Sequence, residues 1–307
     1  MNKARTMSDS KKIFIIWAFV VILFVGFLVV LRINRGVIVS YMDETSAENY
    51  LVEGKKYFDN EQYEKALETY KKVEEIMNKT TYYNPWVFQS IGVSYLKLGD
   101  NEKALKYLKR FIDENKESIW AFINLALCYT KFKRFDEAEK TYLEGVKIDE
   151  NNIAIREALT NFYLDQGKYD KAIEQFDKLI SLEPLSERFY LGLGLTYEKI
   201  NDLEKVKNVY SKLVVLDAKN SDYRVKYANV LFKLGLYNDA IREFSEAIRL
   251  GSSDPAINKL VGLSYYRLEQ YNQAKDIFLR YLEKNPDDEE IKKLLDEVNE
   301  KLNQKTL

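Results

Sequence analysis

The chain has 307 residues, with 47 Lys and Arg against 48 Asp and Glu, no histidine and one cysteine. Without histidine, the commonest general base and metal ligand is missing, and one cysteine allows neither an intrachain disulfide nor a cysteine-based zinc site. No phosphate-binding loop, calcium loop or nucleophile elbow occurs either. We therefore expect that the chain is not an enzyme and that it binds neither a metal nor a cofactor. The near-neutral charge also predicts no nucleic-acid partner, which would require a basic face.

An uncharged stretch, residues 13–31, follows a basic N-terminal tail formed by residues 1–12. As a helix it would span about 28 Å, close to the hydrocarbon thickness of a bilayer, about 30 Å. The alternative is a cleaved signal peptide, which would have a shorter apolar region and a small-residue cleavage site. We expect an uncleaved transmembrane anchor.

Basic residues on either side of this stretch predict its orientation. Four Lys or Arg precede it, and two, Arg32 and Arg35, follow it. Because basic residues favour the cytoplasmic side, we expect a single-pass membrane protein with its N-terminus in the cytoplasm. Residues 32–46 would form a short tether, and the rest of the chain would be periplasmic or otherwise extracytoplasmic. The alternative is the inverted topology, with the rest of the chain in the cytosol.

A 34-residue pattern then recurs through most of the chain. Position 8 of each copy is small, position 20 is Ala or Val, and position 24 is aromatic or Leu; in the fifth copy these residues are Gly194, Val206 and Tyr210. The seven copies, repeats 1–7, together cover residues 47–288. They are residues 47–80, 85–118, 119–152, 153–186, 187–220, 221–254 and 255–288.

This period and pattern resemble the tetratricopeptide repeat, a helix–turn–helix unit, over about four-fifths of the chain. The resemblance implies an all-α fold after the transmembrane helix: a right-handed superhelical solenoid of seven hairpins. Helix A would occupy positions 1–14 and helix B positions 15–30. Position 15 suits a left-handed residue, and Gly99, Gly167, Gly235 and Asn201 stand there. Residues 289–307 carry one apolar stripe and are expected to form a capping helix.

The resemblance also implies a binding site, because helices A of this family line a concave groove that takes peptides or partner helices. An exposed Trp is a common anchor at interfaces, and the amide of an Asn can bond both polar groups of a peptide backbone. Trp86 and Trp120 could equally pack between repeats, and both interpretations stay open. The groove-facing candidates are Trp86, Gln89, Trp120, Asn124, Leu127, Asn161, Leu195, Lys226, Asn229, Phe232, Lys259 and Tyr266.

These features predict a membrane-anchored scaffold or adaptor that binds other proteins, in the assembly of an envelope complex or in secretion. A second interpretation is a cytosol-facing docking receptor of inverted topology. A third is a structural element whose solenoids associate with one another, which would make a homo-oligomer. Cys128 is expected to be a small buried side chain, and Gly192-Leu-Gly194 to serve packing and not a dinucleotide.

Overall fold

The computed structural model describes the backbone of residues 9–304 and the side chains of residues 23, 25–33 and 43–304. Within residues 9–304 every regular element is an α-helix. The chain forms two compact units, unit 1 (Met1–Asp149) and unit 2 (Glu150–Leu307). The helices are α1 (Asp9–Asp59), α2 (Tyr63–Lys79), α3 (Trp86–Leu98), α4 (Asn101–Glu114), α5 (Ile119–Lys131), α6 (Phe135–Ile148), α7 (Ile153–Asp165), α8 (Tyr169–Leu182), α9 (Glu187–Lys199), α10 (Leu203–Leu216), α11 (Ser221–Lys233), α12 (Tyr237–Arg249), α13 (Ala256–Arg267), α14 (Tyr271–Lys284) and α15 (Glu289–Gln304).

Consecutive helices pair into hairpins, and the hairpins stack within each unit. Each odd-numbered helix from α1 to α13 contacts the even-numbered helix that follows it. Stacking contacts join α2 to α3 and α4 to α5 in unit 1, and α8 to α9, α10 to α11 and α12 to α13 in unit 2. The predicted all-α stack of helical hairpins is therefore confirmed for the part of the chain that the structure describes.

The two helices of a hairpin approach closely where position 8 lies against position 24 of the same repeat. A Cβ atom added to Gly262 would lie 2.7 Å from Cδ1 of Phe278, and one added to Gly194 would overlap the ring of Tyr210. Small side chains at positions 8 and 20 thus leave room for the large one at position 24. The side chains at position 20 are all completely buried: Ala66, Ala104, Ala138, Ala172, Val206, Ala240 and Ala274.

The residue at position 15 has a left-handed backbone conformation in all seven repeats, and in three of them it is neither Gly nor Asn. Glu61, Lys133 and Glu269 have φ angles of 58°, 59° and 55°, although this conformation costs roughly 1–2 kcal/mol for a residue with a Cβ. The hairpin packing therefore imposes the turn even where no glycine stands. The four predicted left-handed positions, Gly99, Gly167, Asn201 and Gly235, all have positive φ.

The N-terminal arm is one continuous helix. α1 runs for 51 residues from Asp9 into repeat 1, so the expected tether, residues 32–46, has helical backbone. Large apolar side chains described in this arm, such as Leu23 and Ile33, are exposed. Across the residues described, no helix is long and apolar enough to cross a membrane. Because the side chains of residues 13–22 lie outside the described set, the transmembrane segment stays a prediction.

The C-terminal helix α15 stands where the capping helix was predicted. Its side chains Ile291 and Val298 are completely buried and pack with Ala274 and Phe278 of α14. Residues 305–307 lie outside the described part of the chain. The apolar stripe of α15 thus covers the hairpin of repeat 7.

Candidate functional site

Helices A of repeats 1–3, which are α1, α3 and α5, line one cavity of unit 1. Its volume is about 430 Å³, and we call it the unit-1 pocket. Two of the predicted groove residues, Gln89 and Asn124, lie in it. The complete lining is Leu51, Lys55, Phe58, Asp59, Tyr70, Gln89, Ser90, Val93 and Asn124.

The unit-1 pocket combines apolar walls with side-chain amides and one ion pair. Lys55 Nζ lies 3.1 Å from the carboxylate of Asp59, so these two charges offset each other. Gln89 Oε1 is buried and has no hydrogen-bond partner among the described residues. Burial raises the pKa of Tyr70, against the opposing effect of its hydrogen bond with Ser90. The Tyr70 phenol therefore stays protonated and can act as a hydrogen-bond donor at neutral pH.

Two tryptophans stand beside this pocket with much of their surface exposed, 51% for Trp86 and 57% for Trp120. Trp86 precedes Gln89 by three residues, and Trp120 precedes Asn124 by four, spacings that place side chains on one helix face. The Trp86 ring also contacts Phe111, with centroids 5.0 Å apart. Packing within repeat 2 therefore covers only part of the Trp86 indole, and about half of each indole is exposed to a partner.

Two predicted groove residues of unit 2 are already bound to the C-terminal segment. Lys259 Nζ lies 2.7 Å from Glu290 and 3.0 Å from Asp288, and the hydrogen bond to Glu290 raises the pKa of Lys259. Tyr266 donates its hydroxyl to Glu297 at 2.9 Å. These side chains hold α15 in place, so they are less available to a partner than their sequence positions suggested.

A second cavity in unit 2 has a volume of about 340 Å³ and includes Asn161; we call it the unit-2 pocket. Arg188 lies 2.8 Å from Glu157 at its edge. Gly192 also lines this pocket, where an added Cβ would lie 2.5 Å from Cζ of Phe176. The Gly192-Leu-Gly194 segment therefore serves helix packing, as predicted.

The remaining predicted residues differ in exposure and are not all brought together. Leu127 in unit 1 and Leu195 in unit 2 are both 42% exposed. Lys226 and Asn229 are half-buried. Phe232 is half-buried and packs edge-on against the ring of a neighbouring tyrosine. Of the twelve predicted residues, only three line the two pockets, and the two exposed tryptophans stand next to one of them.

Contacts between position 5 of one repeat and the second residue of the segment after that repeat were missed from the sequence. Glu157 meets Arg188 in this way, and Lys259 meets Glu290, each across 31 residues. Opposite charges at this spacing are visible in the sequence and would have predicted both ion pairs. Leu51, a lining residue of the unit-1 pocket that was missed, stands at position 5 of its repeat like Gln89, so its repeat position could have found it.

Cys128 is completely buried, and burial raises the pKa of its thiol to about 11. Its sulfur contacts the backbone carbonyl of Asn101 at 3.5 Å, so the side chain is a packing residue, as expected. Among the described residues, no group of three or more Cys, Asp and Glu side chains is arranged to hold a metal ion. The expected absence of a metal, a cofactor and catalysis stays a prediction.

A larger cavity, about 540 Å³, lies in unit 2 between the α12–α13 loop and the C-terminal half of α14. It contains none of the twelve predicted groove residues. Polar side chains such as Ser252 and Asn285 account for much of its lining. It shares no lining residue with the unit-1 pocket or the unit-2 pocket.

Family models match the chain as tetratricopeptide repeats at residues 95–162 and 231–298, as a TPR repeat at 160–201, and again as a tetratricopeptide repeat at 187–220. The chain belongs to the tetratricopeptide repeat family. Such repeats build extended surfaces on which other proteins bind. A TPR repeat-containing protein of Methanocaldococcus jannaschii is 27% identical over 209 residues, 63% of this chain and 35% of that protein. The chain spans about a third to a half of the length of the first curated relatives it matches.

Solved structures of tetratricopeptide repeat proteins share the fold. The C-terminal part of a TPR repeat-containing protein from Cytophaga hutchinsonii superposes with a TM-score of 0.63 at 16% identity, covering 80% of this chain and 99% of that one. The structure of Naa15/Naa10 bound to HypK-THB superposes with a TM-score of 0.61, also at 16% identity, and the match covers 83% of this chain and 39% of that one. Identities this low show the fold alone.

Proposed function

We propose that this chain is a membrane-anchored scaffold that binds peptide or helix segments of partner proteins on the face formed by its helices A. One observation carries the proposal: the unit-1 pocket is open, and two half-exposed tryptophans stand beside it. Large exposed indoles are unusual on a surface that only faces water, and they are enriched at interaction hot spots. The family's common use as a protein-binding surface supports the same conclusion.

The scaffold is proposed not to be an enzyme. Its one cysteine is buried with a raised pKa, and the sequence contains no histidine. The charged side chains in the two pockets described above form the ion pairs Lys55–Asp59 and Glu157–Arg188. Because each charge lies beside an opposite one, neither pocket presents an unpaired charged side chain as a candidate general acid or base.

The membrane anchor of the proposal is residues 13–31, which contain no charged residue. The exposed apolar side chains at the end of this stretch, from Phe27 to Leu31, support it, because lipid would cover them. α1 continues as a helix from this stretch into repeat 1. We propose that residues 1–12 lie in the cytoplasm and the repeats on the opposite side, where the scaffold serves assembly of an envelope complex or secretion.

Protease added from outside should test this orientation. In cells with a permeabilised outer layer, we expect digestion of residues 36–307 and a small membrane-bound fragment that retains the N-terminal tail. A cytoplasmic protein of the same cells serves as the control for an intact inner membrane. Protection of the repeats until that membrane is lysed would contradict the orientation and support the inverted docking receptor.

Exchange of both tryptophans for alanine should separate binding from folding. We expect Trp86→Ala with Trp120→Ala to leave the helix content unchanged and to weaken partner capture by about 1 kcal/mol or more per residue. Capture is measured by crosslinking in native membranes and quantifying the captured partner.

The control exchanges two apolar side chains of unit 2 that are more exposed than the tryptophans, Leu185 and Val215, at 80% and 77%. If only this control loses partner capture, the two indoles do not bind the partner. If the tryptophan variant unfolds in repeats 2 and 3 without a selective loss of partner binding, the indoles serve packing. If the detergent-solubilised chain forms only a homo-oligomer, the self-assembling structural element becomes the better account.

A further inference from the structure

We infer that the face of unit 1 formed by α1, α3 and α5 binds an extended, uncharged peptide segment with two large apolar side chains about three residues apart. This inference rests on the proposed function, since it specifies which segment the scaffold takes and on which unit. Four features of unit 1 carry it: the exposed apolar side chains, the offset charges, the unbonded amide oxygen of Gln89 and the spacing of the helices.

Large apolar side chains are concentrated on this face. Trp86, Trp120 and Leu127 are 51%, 57% and 42% exposed, and Val52, one turn before Lys55, is 71% exposed. A cavity of about 430 Å³ beside them lies within the size range of ligand sites, about 300–1,000 Å³. Apolar side chains of a bound segment would therefore cover the indoles and enter the unit-1 pocket.

The charges on this face are already engaged. Lys55 pairs with Asp59 inside the pocket. At the ends of α3 and α5, Lys97 Nζ lies 5.9 Å above an aromatic ring, and Lys131 Nζ donates to a backbone carbonyl at 3.4 Å. A charged side chain of a ligand would therefore meet no unpaired opposite charge among these groups. The face therefore favours an uncharged segment.

Unit 2 differs at the equivalent positions. Positions 5 and 2 of successive repeats hold Glu157 and Arg188, whose atoms lie 2.8 Å apart. The same positions of repeats 2 and 3 hold Gln89 and Trp120, an amide and an indole. Between these two contacts, only the one in unit 2 is charged. A peptide segment that binds unit 1 should therefore differ in charge from one that binds unit 2.

A buried side-chain amide oxygen without a partner favours an extended backbone over a helix. Gln89 Oε1 is buried and unbonded among the described residues, and Asn124 lies in the same pocket on the next helix A. A carboxamide offers both donors and acceptors. An extended segment presents free N–H and C=O groups to such amides, whereas the backbone groups of a helix are already bonded to one another.

The helix spacing sets the spacing of the anchors. α3 and α5 contact each other directly, and packed helices lie about 8–10 Å apart. A segment in the extended polyproline II conformation advances about 3.1 Å per residue and has three residues per turn, so one that crosses from Trp86 to Trp120 advances about three residues and presents every third side chain to the same side. Two apolar side chains at that interval would each meet one indole.

A phage-displayed library of random short peptides, selected against the full chain in mild detergent, tests the inference. We expect the enriched peptides to share an uncharged core with two aromatic or large aliphatic residues about three positions apart. As a labelled synthetic peptide, an enriched sequence should bind Trp120→Ala at least about tenfold more weakly. Trp120→Phe should retain most of the affinity, and Leu185→Ala should leave it unchanged; circular dichroism confirms that each variant is folded.

The possible results separate this inference from the proposed function. Enrichment of charged peptides whose binding depends on Arg188 would overturn the inference and leave the scaffold function standing. Uncharged peptides that bind Trp120→Ala as tightly as the parent would overturn it as well. A selection that enriches no peptide at all would contradict both the inference and the proposed peptide-binding function.

Discussion

Replacement of Gly194 with leucine is expected to lower the free energy of unfolding by about 3 kcal/mol, the upper end of the range for an overpacked core. A Cβ at this position already overlaps the ring of Tyr210, and Tyr210 is completely buried in the core of unit 2. The ring cannot turn toward solvent, so α9 and α10 must move apart. Urea unfolding of the full chain in mild detergent, followed by circular dichroism, measures the loss.

Two further variants show whether this loss arises at the predicted contact. Lys199→Leu adds the same side chain at an exposed position of α9 and should change stability by less than about 0.5 kcal/mol. Gly194→Leu combined with Tyr210→Ala should be less destabilising than the sum of the single changes, because the smaller side chain makes room. If Gly194→Leu were as stable as the parent, position 8 would not face position 24 and the repeat register would be wrong.

Removal of residues 287–307 is expected to have the second large effect. It uncovers Phe278 and removes Ile291 and Val298, all completely buried, and each buried aliphatic side chain contributes about 1.5–3 kcal/mol. The hydrogen bonds that Lys259 and Tyr266 form with this segment are lost too. We expect α13 and α14 to exchange their amide hydrogens faster and the truncated protein to associate through the bared surface.

Removal of only residues 305–307 is the matched control. It should change neither the amide exchange of α13 and α14 nor the association state of the protein. Hydrogen exchange with mass spectrometry reports on the two helices, and analytical ultracentrifugation reports on association. A truncated chain that stays monomeric, with unchanged exchange in α13 and α14, would show that α15 is not a cap.

The repeat register could be predicted because it depends on contacts within one hairpin. Gly194 and Tyr210 are 16 residues apart and belong to the same repeat, so the 34-residue period alone brings them together. The left-handed turns at Glu61, Lys133 and Glu269 were not predicted. Their side chains give no local signal, because the packing of two helices, and not the residue itself, imposes the turn.

The continuous helix through residues 32–46 was not predicted either. Thr45 and Glu48 match the sequence pattern that begins a helix. Such a pattern caps a helix only when the preceding residues leave the helical conformation, and residues 32–46 contain no proline that would force them to do so. Propagation of an existing helix is also easier than a new nucleation.

The sequence predicted where some of the site residues lie, but it did not predict which of them are free to contact a partner. Repeat positions correctly placed Gln89 and Asn124 on one pocket. They gave no indication that Lys259 and Tyr266 bind α15, because those contacts depend on a helix that lies outside the repeats. The repeat positions also could not predict how exposed Trp86 and Trp120 are, because this exposure depends on how the neighbouring hairpins stack.

Amide hydrogen exchange of the full chain, alone and with its crosslink-identified partner, tests most directly the claim that unit 1 is the binding surface. The account predicts slower exchange in α3 and α5, around Gln89 and Asn124, once the partner is bound. Exchange in α9 and α10 should stay the same, since unit 2 takes no part in that contact. Protection confined to unit 2, or no change in either unit despite saturating partner, would contradict the account.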